Sequence, residues 1–404
     1  MTEKPAFDAF GRDYARLAFG IERHVPGFID AYLGPEHERA ALELAEAPAP
    51  ASLAAAAREL LATIPAMDAS ANRKLYLTKQ LEAMHAIARR LAGEELPYRE
   101  EVRLLFDIEP ETTPESVFES AIADLDRLLP GDGPVLDRMA AWRERYAIAP
   151  EVARRLVDAI LPELRERTKA IVDLPAGEAI EIAMVRDQPW SGYNWYLGGG
   201  RSRVELNTDL PIHAFRLTEL LAHEGYPGHH TEHTLKERLY TVEGLGEHAL
   251  QLINTPECLI SEGIATVAEE MIFSPEELAR FRRDRVYAAA GITGDPEREI
   301  AIGAARRALS SVASNAALLL HEEGADPEQV VAYLRRYGLA TEAEARQRLR
   351  FIANPLWRAY IFTYDVGYRL VSAWLANAPD GERDARFRAL LTEQISPSHL
   401  ASEA

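Results

Sequence analysis

The sequence predicts a mainly α-helical fold with one small β segment near the middle of the chain. Apolar residues recur at helical spacing along most of the 404 residues. Helix-start signals are frequent, since Ser274 and Asp326, for example, each stand before a proline and a glutamate. Strand-like patterns are confined to residues 180–210. Helices of roughly ten to thirty residues are therefore expected to fill most of the chain.

Two helices of the N-terminal half have clear signals. The apolar spacing of residues 66–92 predicts one long helix. A second helix is expected to have Thr113 as its N-cap and Pro114 at its first position, and to end at Pro130, which a glycine follows. The breaks between helices, such as the Ala- and Pro-rich segment Glu46–Ala57, are too short for flexible interdomain linkers.

The β segment is predicted to be a small hairpin. Ile180–Val185 is a short β-type run, Ser191–Gly200 is an aromatic-rich glycine turn, and Arg203–Asn207 alternates as a strand does. The exposed edge of such a strand can hold an extended peptide through main-chain hydrogen bonds. Tyr193 and Asn207 are therefore candidate substrate-binding residues. A purely structural ribbon is the alternative.

Composition restricts the classes of function. The chain carries 45 Lys and Arg against 64 Asp and Glu, a formal charge of −19. Such an acidic surface repels phosphate backbones, which argues against nucleic acid as a partner. The single cysteine excludes an intrachain disulfide, and no apolar run is long enough to span a membrane. Since no basic segment followed by an apolar run begins the chain, a cytoplasmic protein without a membrane partner is expected. The sequence does not indicate an oligomeric state.

A cluster of histidines follows the β segment and is the strongest functional signal. His223 precedes a Pro227-Gly228 break, after which come His229 and His230. In a straight helix the second of these returns to the face of His223 but lies roughly 10 Å further along the axis. Proline and glycine permit a kink that brings one of the pair back beside His223. Either can then be the second metal ligand. A solvated histidine-rich helix end is the alternative.

Acidic residues of suitable spacing accompany the histidines. Glu224 follows His223 directly, the place from which a carboxylate takes a proton from an attacking water in metal-dependent hydrolysis. Glu219 lies one turn earlier, where it can orient an imidazole or face solvent. Glu262 and Glu269 share one face of a downstream helix whose other face is apolar. They face either water or a cleft, and in the second case Glu262 is a carboxylate ligand that Glu269 supports.

Four other residues give weaker signals. Tyr360 and Tyr364 lie one helical turn apart near the C-terminus. Such tyrosines usually pack in a core, but Tyr364 is also a candidate to donate a hydrogen bond to a developing oxyanion, and Tyr360 is a candidate substrate-binding residue. His233 and His248 are interpreted as surface or packing histidines.

Motifs at these positions resemble a known family. His223–His230 matches the His-Glu-x-x-Pro-Gly-His-His signature of a large bacterial family of unknown function that resembles the gluzincin metallopeptidases. Glu262–Glu269 is similar to the family's Glu-Gly-Trp-Ala-x-x-Ala-Glu motif, with Ile264 in place of the usual tryptophan. Three further segments resemble the family's opening, its strand-and-Asn element and its Tyr-x-x-Gly motif: Phe28–Pro35, Val204–Asn207 and Tyr364–Gly367. The resemblance is expected to extend over the whole chain.

The resemblance implies a large helical gluzincin-like fold with a deep cleft and the β segment beside the metal-site helix. Residues 1–175 would form an N-terminal helical part and residues 176–404 the motif-bearing part, as one continuous unit. It also implies one Zn²⁺ per chain, with Glu224 as base. The implied ligands are His223, one of His229 and His230, and Glu262.

The predicted function is zinc-dependent hydrolysis of peptide or related amide bonds. The alternative is a non-catalytic protein that binds a peptide or a metal on the same scaffold. A helical di-metal oxygenase needs two Glu-x-x-His pairs on facing helices. Only one such pair, Glu82 and His85, is present, so this class is set aside.

Overall fold

A computed structural model describes residues 4–188 and 190–403 and is mainly helical, as the sequence predicts. None of the helices in these two ranges combines the length and hydrophobicity that crossing a bilayer requires. The helices are α1 (Ala9–Glu22), α2 (Glu36–Leu44), α3 (Pro50–Thr63), α4 (Ala71–Leu91), α5 (Tyr98–Phe106), α6 (Glu115–Leu128), α7 (Val135–Glu144), α8 (Pro150–Thr168), α9 (Ala214–Glu224), α10 (His229–Thr241), α11 (Pro256–Ile272), α12 (Pro275–Phe281), α13 (Ala288–Ala290), α14 (Pro296–Arg307), α15 (Val312–His321), α16 (Pro327–Tyr337), α17 (Glu342–Ala353), α18 (Ile361–Ala376), α19 (Arg383–Thr392) and α20 (Pro397–Glu403).

The strands form three small sheets. They are β1 (Ile29–Tyr32), β2 (Ala147–Ile148), β3 (Ala179–Val185), β4 (Gly192–Gly198), β5 (Arg201–Asn207), β6 (Ile212–His213) and β7 (Leu250–Leu252). β1 pairs with β7 and β2 with β6, both antiparallel. The third sheet has the order β3-β5-β4.

The predicted hairpin is present, but its second strand, which was expected to offer a free edge to a substrate, has no free edge. β4 and β5 pair antiparallel, and β3 adds to the other side of β5 in parallel. β5 is therefore the central strand, and the backbone of Val204–Asn207 is paired on both sides. The expectation that this segment holds a substrate is wrong. β4 is the strand of this hairpin that pairs on one edge only within the described sheet.

Capping residues fix several helix boundaries. The side chains of Ser274 and Asp326 accept hydrogen bonds from the first turns of α12 and α16 in capping boxes, which confirms both predicted starts. The helix predicted over residues 66–92 is α4, which begins after Ser70 because that side chain accepts from the Arg73 N–H. Thr113 does not cap α6, whose N-cap is Pro114 without a side-chain hydrogen bond. The side chain of Asn315 instead bonds to the N–H and the carbonyl of Thr113.

Two buried apolar clusters form the core. One joins α1, α3, α4 and α5 to α15, α16 and α17, and the other joins α8, α9 and α11 to α18 and α19. Each therefore combines residues from before and after position 175, and the proposed division there stays a sequence prediction. The predicted apolar stripe of α11 is buried as expected, with Ile264, Val267, Ala268 and Met271 in the second cluster.

Two glycines allow α11 and α18 to approach closely. A Cβ at Gly263 would lie 2.6 Å from the Gly367 carbonyl oxygen, and one at Gly367 would lie 2.6 Å from the Leu259 carbonyl oxygen. Such distances are below van der Waals contact, so both positions must lack a side chain. The close crossing places Glu262 of α11 beside Tyr360, the residue that precedes α18.

Candidate metal centre

A sharp backbone break separates the two parts of the histidine motif. α9 ends at Glu224 and α10 begins at His229. Between them the Tyr226–Pro227 peptide bond is cis, and the Gly228 N–H bonds back to the Ala222 carbonyl at 2.9 Å. This bond spans six residues instead of the four of a regular α-helix, so the chain bulges at the end of α9. The rings of His223 and His229 consequently meet at a centroid distance of 4.8 Å, perpendicular to each other.

The bulge requires a glycine at position 228. A Cβ there would overlap the carbonyl oxygen of His223, and it would also lie 2.5 Å from that of Ala222. Both obstacles are backbone atoms of α9, which cannot rotate away as a side chain can. The glycine is needed for this close approach and not for a positive φ, since its φ is −77°.

The Gly228→Ala substitution is expected to destabilise the protein by about 1–3 kcal/mol or more, because the added methyl group forces α9 and α10 apart. Urea unfolding measures this change. Gly303→Ala is the matched control, since a Cβ at that helical position meets nothing within 4 Å and should slightly stabilise the protein. Equal stability of the two variants would contradict the proposed need for glycine at the break.

Three side chains converge on one point beside the break. His223 Nε2 lies 3.7 Å from Glu262 Oε2, and His229 Nε2 lies 4.0 Å from Glu262 Oε1. Ligand atoms of a tetrahedral zinc ion, each about 2.0–2.1 Å from the metal, are about 3.3 Å apart. Glu262 Oε2 is buried and has no hydrogen-bond partner among the described residues. The two measured separations exceed this value by about 0.4 and 0.7 Å and end on different Glu262 oxygens, so the three side chains must move closer together to hold a divalent cation.

A hydrogen bond on the far side of the His229 imidazole directs a lone pair toward this point. Ser261 Oγ lies 2.5 Å from Glu232 Oε2, to which it donates, and it accepts from His229 Nδ1 at 3.1 Å. The Nε2 of His229 is therefore left without a proton, which is the form that binds metal.

Burial keeps both imidazoles neutral. It lowers the pKa of His223 to about 3, and the neighbouring His229 lowers it further. Burial likewise lowers the pKa of His229 to about 4. Two neutral imidazoles beside a carboxylate are a ligand set that suits zinc.

Two carboxylic acids at the centre have raised pKa values. Burial raises the pKa of Glu224 to about 8, with smaller contributions from the charges of Glu262 and Asp30. Burial raises the pKa of Glu262 to about 7, against a hydrogen bond that the Tyr360 hydroxyl donates at 3.0 Å. A divalent cation at this point favours both ionised forms and lowers both pKa values. Glu224 also has a ligand oxygen within 4.8 Å of nitrogens of His223 and His229.

His230 does not take part in this cluster. Its Nε2 lies 2.8 Å from Glu178 Oε2 and its Nδ1 lies 2.8 Å from Ser202 Oγ, at a fully buried position. Glu178 also accepts from Arg165 at 2.6 Å and from Tyr226. His230 therefore ties α10 to the three-stranded sheet. Of the two histidines that the sequence left open as ligands, the structure brings only His229 to His223.

The two predicted supporting glutamates have other partners. Glu219 is half exposed in the cavity and lies 3.7 Å from Arg216. Glu269 forms a two-pronged ion pair with Arg282, at 2.9 and 3.0 Å. Neither glutamate contacts a candidate ligand through a hydrogen bond in the described structure.

The predicted substrate-contacting residues divide into two groups. Tyr364 and Tyr360 line the cavity at the centre, with ring centroids 5.6 Å apart, and Tyr193 lines it from β4 while donating to Asp30. Asn207 is instead buried, and its side-chain amide donates to the carbonyls of residues 188 and 190 at 2.8 and 2.9 Å. The prediction that Asn207 contacts substrate is wrong, because its amide secures the turn before β4.

Several neighbours of the centre were not predicted. Asp30, Asn194, Glu232 and Ser261 contact the predicted residues, and His233, interpreted from the sequence as a surface or packing residue, stacks on His229 at 5.7 Å. Ser261 stands next to Glu262 in the second motif and Asp30 lies within the opening segment Phe28–Pro35. Their positions in or next to the motifs could therefore have indicated these two residues. The others depend on packing between distant helices.

One large cavity of about 2030 Å³ encloses the centre. His223, Glu224, His229 and Glu262 line it, and so do the aromatic residues of β4. His248, also interpreted as a packing residue, lines the same cavity and stacks on Tyr76 at 5.4 Å. The Glu-x-x-His pair on α4 lies outside it: Glu82 pairs with Lys79 at 3.1 Å.

Comparison with known proteins identifies similar folds only. No family model and no curated protein matches the chain. A crystal structure of a "putative lipoprotein" from Colwellia psychrerythraea superimposes with a TM-score of 0.56 and 16% sequence identity, over 100% of this chain and 77% of that one. A "putative lipoprotein of unknown function" from Shewanella oneidensis gives a TM-score of 0.50 and 16% identity, over 87% of this chain and 72% of that one. At this identity the likeness shows a shared fold alone.

Proposed function

We propose that the protein is a zinc-dependent hydrolase of peptide or related amide bonds. The observation that carries this proposal is the convergence of two neutral imidazoles and one carboxylate, from His223, His229 and Glu262, beside the buried carboxyl group of Glu224. Zinc held by the first three would act as a Lewis acid on the scissile carbonyl group. The helical scaffold is accordingly proposed to be gluzincin-like, with the cavity as its cleft.

Glu224 is the proposed general base. Its backbone is anchored to β4, because its carbonyl accepts a hydrogen bond from the Asn194 side-chain amide at 2.5 Å. A cation in the site brings its pKa below the value of about 8 that burial gives it. The ionised carboxylate then accepts a proton from the attacking water and passes it to the leaving amine.

Tyr364 is the proposed donor to the developing oxyanion. The neighbouring Tyr360 already donates its hydroxyl proton to Glu262, whereas Tyr364 is 45% exposed and faces the same cavity. A neutral hydroxyl is required for this role. Although the side chain as a whole is 45% exposed, desolvation of its hydroxyl within the cavity and the nearby charge of Glu262 raise the pKa of Tyr364 well above its ordinary range.

The edge of β4 is the proposed docking strand for a substrate. Gly192–Trp195 line the cavity, and β4 pairs within its sheet only with β5. An extended peptide bound along this edge would satisfy the remaining main-chain groups. Tyr193 and Trp195 would then contact alternate substrate side chains.

Peptide cleavage with metal dependence tests the proposal. A mixture of synthetic peptides incubated with the protein should yield defined fragments by mass spectrometry. A chelator should abolish the cleavage and added zinc should restore it. Zinc binding without cleavage of any peptide or amide would reject the hydrolase and favour the non-catalytic alternative.

A further inference from the structure

Charges are distributed unevenly along the cavity. The end that holds the candidate metal centre carries Asp30, Glu224 and Glu262. Arg216 and His223 both line the cavity from α9 and are two helical turns apart, which places them on one face about 10 Å apart along the axis. Moving along α9 from His223 toward Arg216 therefore leads from an acidic environment to a basic one.

The basic end contains arginines without strong acidic partners. Arg306 lines the cavity from α14, and its surroundings in the described structure include no hydrogen-bonded acceptor. Among the described residues, the Arg143 side chain donates a hydrogen bond to the Met139 sulfur at 3.2 Å and forms no ion pair. Arg216 has one acidic neighbour, Glu219, at 3.7 Å.

Other arginines that line the same cavity form ion pairs with glutamates, unlike Arg306. Arg282 binds Glu269 through two hydrogen bonds, and Arg307 is paired with Glu270. Burial and the charges of Arg143 and Arg216 lower the pKa of Arg306 to about 9, an effect that Glu219 only partly offsets. Arg143 and Arg216 therefore lie close enough to Arg306 to act on its charge, and Glu219 is the acidic residue that opposes them most.

We propose that Arg216 and Arg306, with Arg143 behind them, bind a carboxylate group of the substrate. The proposal rests on the proposed function, since it defines which peptides the cavity accepts. Guanidinium groups match the geometry of a carboxylate and bind it through paired hydrogen bonds.

The carboxylate can come from the C-terminus of a peptide or from an acidic side chain. Three synthetic peptides of one length separate these sources: one with a free C-terminus, the same peptide as its amide, and the amide with glutamate as its last residue. Binding is measured by calorimetry with the zinc-loaded Glu224→Gln protein, which is used to prevent turnover. At least one carboxylate-bearing peptide should bind about tenfold or more tightly than the neutral amide.

Substitution of the arginines identifies where the preference originates. Arg216→Gln and Arg306→Gln should each reduce the preference, and the double variant should remove it. Arg155→Gln, at an exposed position of α8, is the matched control and should retain it. Arg216 is about half exposed, so its substitution should leave the melting temperature nearly unchanged.

The outcomes distinguish this proposal from the proposed function. Absence of a carboxylate preference, its survival in the double variant, or failure of all three peptides to bind overturns the arginine site. A preference that depends on Arg216 and Arg306 supports it, even if the unsubstituted protein cleaves nothing, in which case the hydrolase proposal alone fails. Cleavage of the acid and amide peptides with equal KM would reject the arginine site and leave the hydrolase standing.

Discussion

Replacement of Glu224 with glutamine is expected to reduce peptide hydrolysis by about 10²–10⁴-fold while zinc remains bound. The substitution keeps the shape of the side chain but removes its ability to accept a proton. The candidate ligands belong to His223, His229 and Glu262, so metal content should not change. Turnover of a cleaved peptide and zinc content of the same preparation are the two measurements.

The control for this variant is Glu243→Gln, which makes the same chemical change at an exposed position after α10. It should retain the activity of the unsubstituted protein. Full activity of Glu224→Gln would contradict the assigned base. Loss of zinc together with activity would instead make Glu224 a ligand. The geometry permits that role, because a carboxylate oxygen of Glu224 lies within 4.8 Å of nitrogens of both imidazoles.

The adjacent histidines should give opposite results when each is replaced with alanine. His229→Ala is expected to lose high-affinity zinc binding, because it removes one of the two imidazoles at the centre. His230→Ala should retain zinc but destabilise the fold by about 1.5–3 kcal/mol, because it removes a buried hydrogen bond to the charged Glu178.

Competition with a coloured zinc chelator and urea unfolding separate the two effects. The paired variants control for each other, since both replace the same residue type within one turn of α10. Loss of zinc from His230→Ala with unchanged stability would reverse the ligand assignment. Retention of tight zinc binding in His229→Ala would exclude it from the centre.

Local patterns in the sequence were sufficient for much of the fold. Capping residues such as Ser274 and Asp326 act within a single turn, so their boundaries could be predicted from neighbouring residues alone. The apolar stripe of α11 was equally clear because helical periodicity follows directly from the need to bury one face. The start of α6 was misplaced because Thr113 contacts Asn315, far away in the sequence.

The order of strands and the choice of histidine depend on longer-range geometry. Alternation in β5 indicated a strand, but only the parallel addition of β3 makes it central and its backbone unavailable. The motif gave both His229 and His230 as candidates. Their roles diverge because the bulge before Gly228 shifts the start of α10 and presents its consecutive residues to different neighbours, Ser261 and Glu178. Residue spacing along a regular helix cannot predict such a bulge.

The most direct test of the account is the zinc content of the protein purified without a metal-affinity tag, compared with a His223→Ala variant. Elemental analysis should find about one zinc per chain in the unsubstituted protein, because one set of two imidazoles and a carboxylate binds one zinc ion. The variant should lose it. If neither preparation takes up stoichiometric zinc after the metal is offered at neutral pH, the break between α9 and α10 does not build a metal centre.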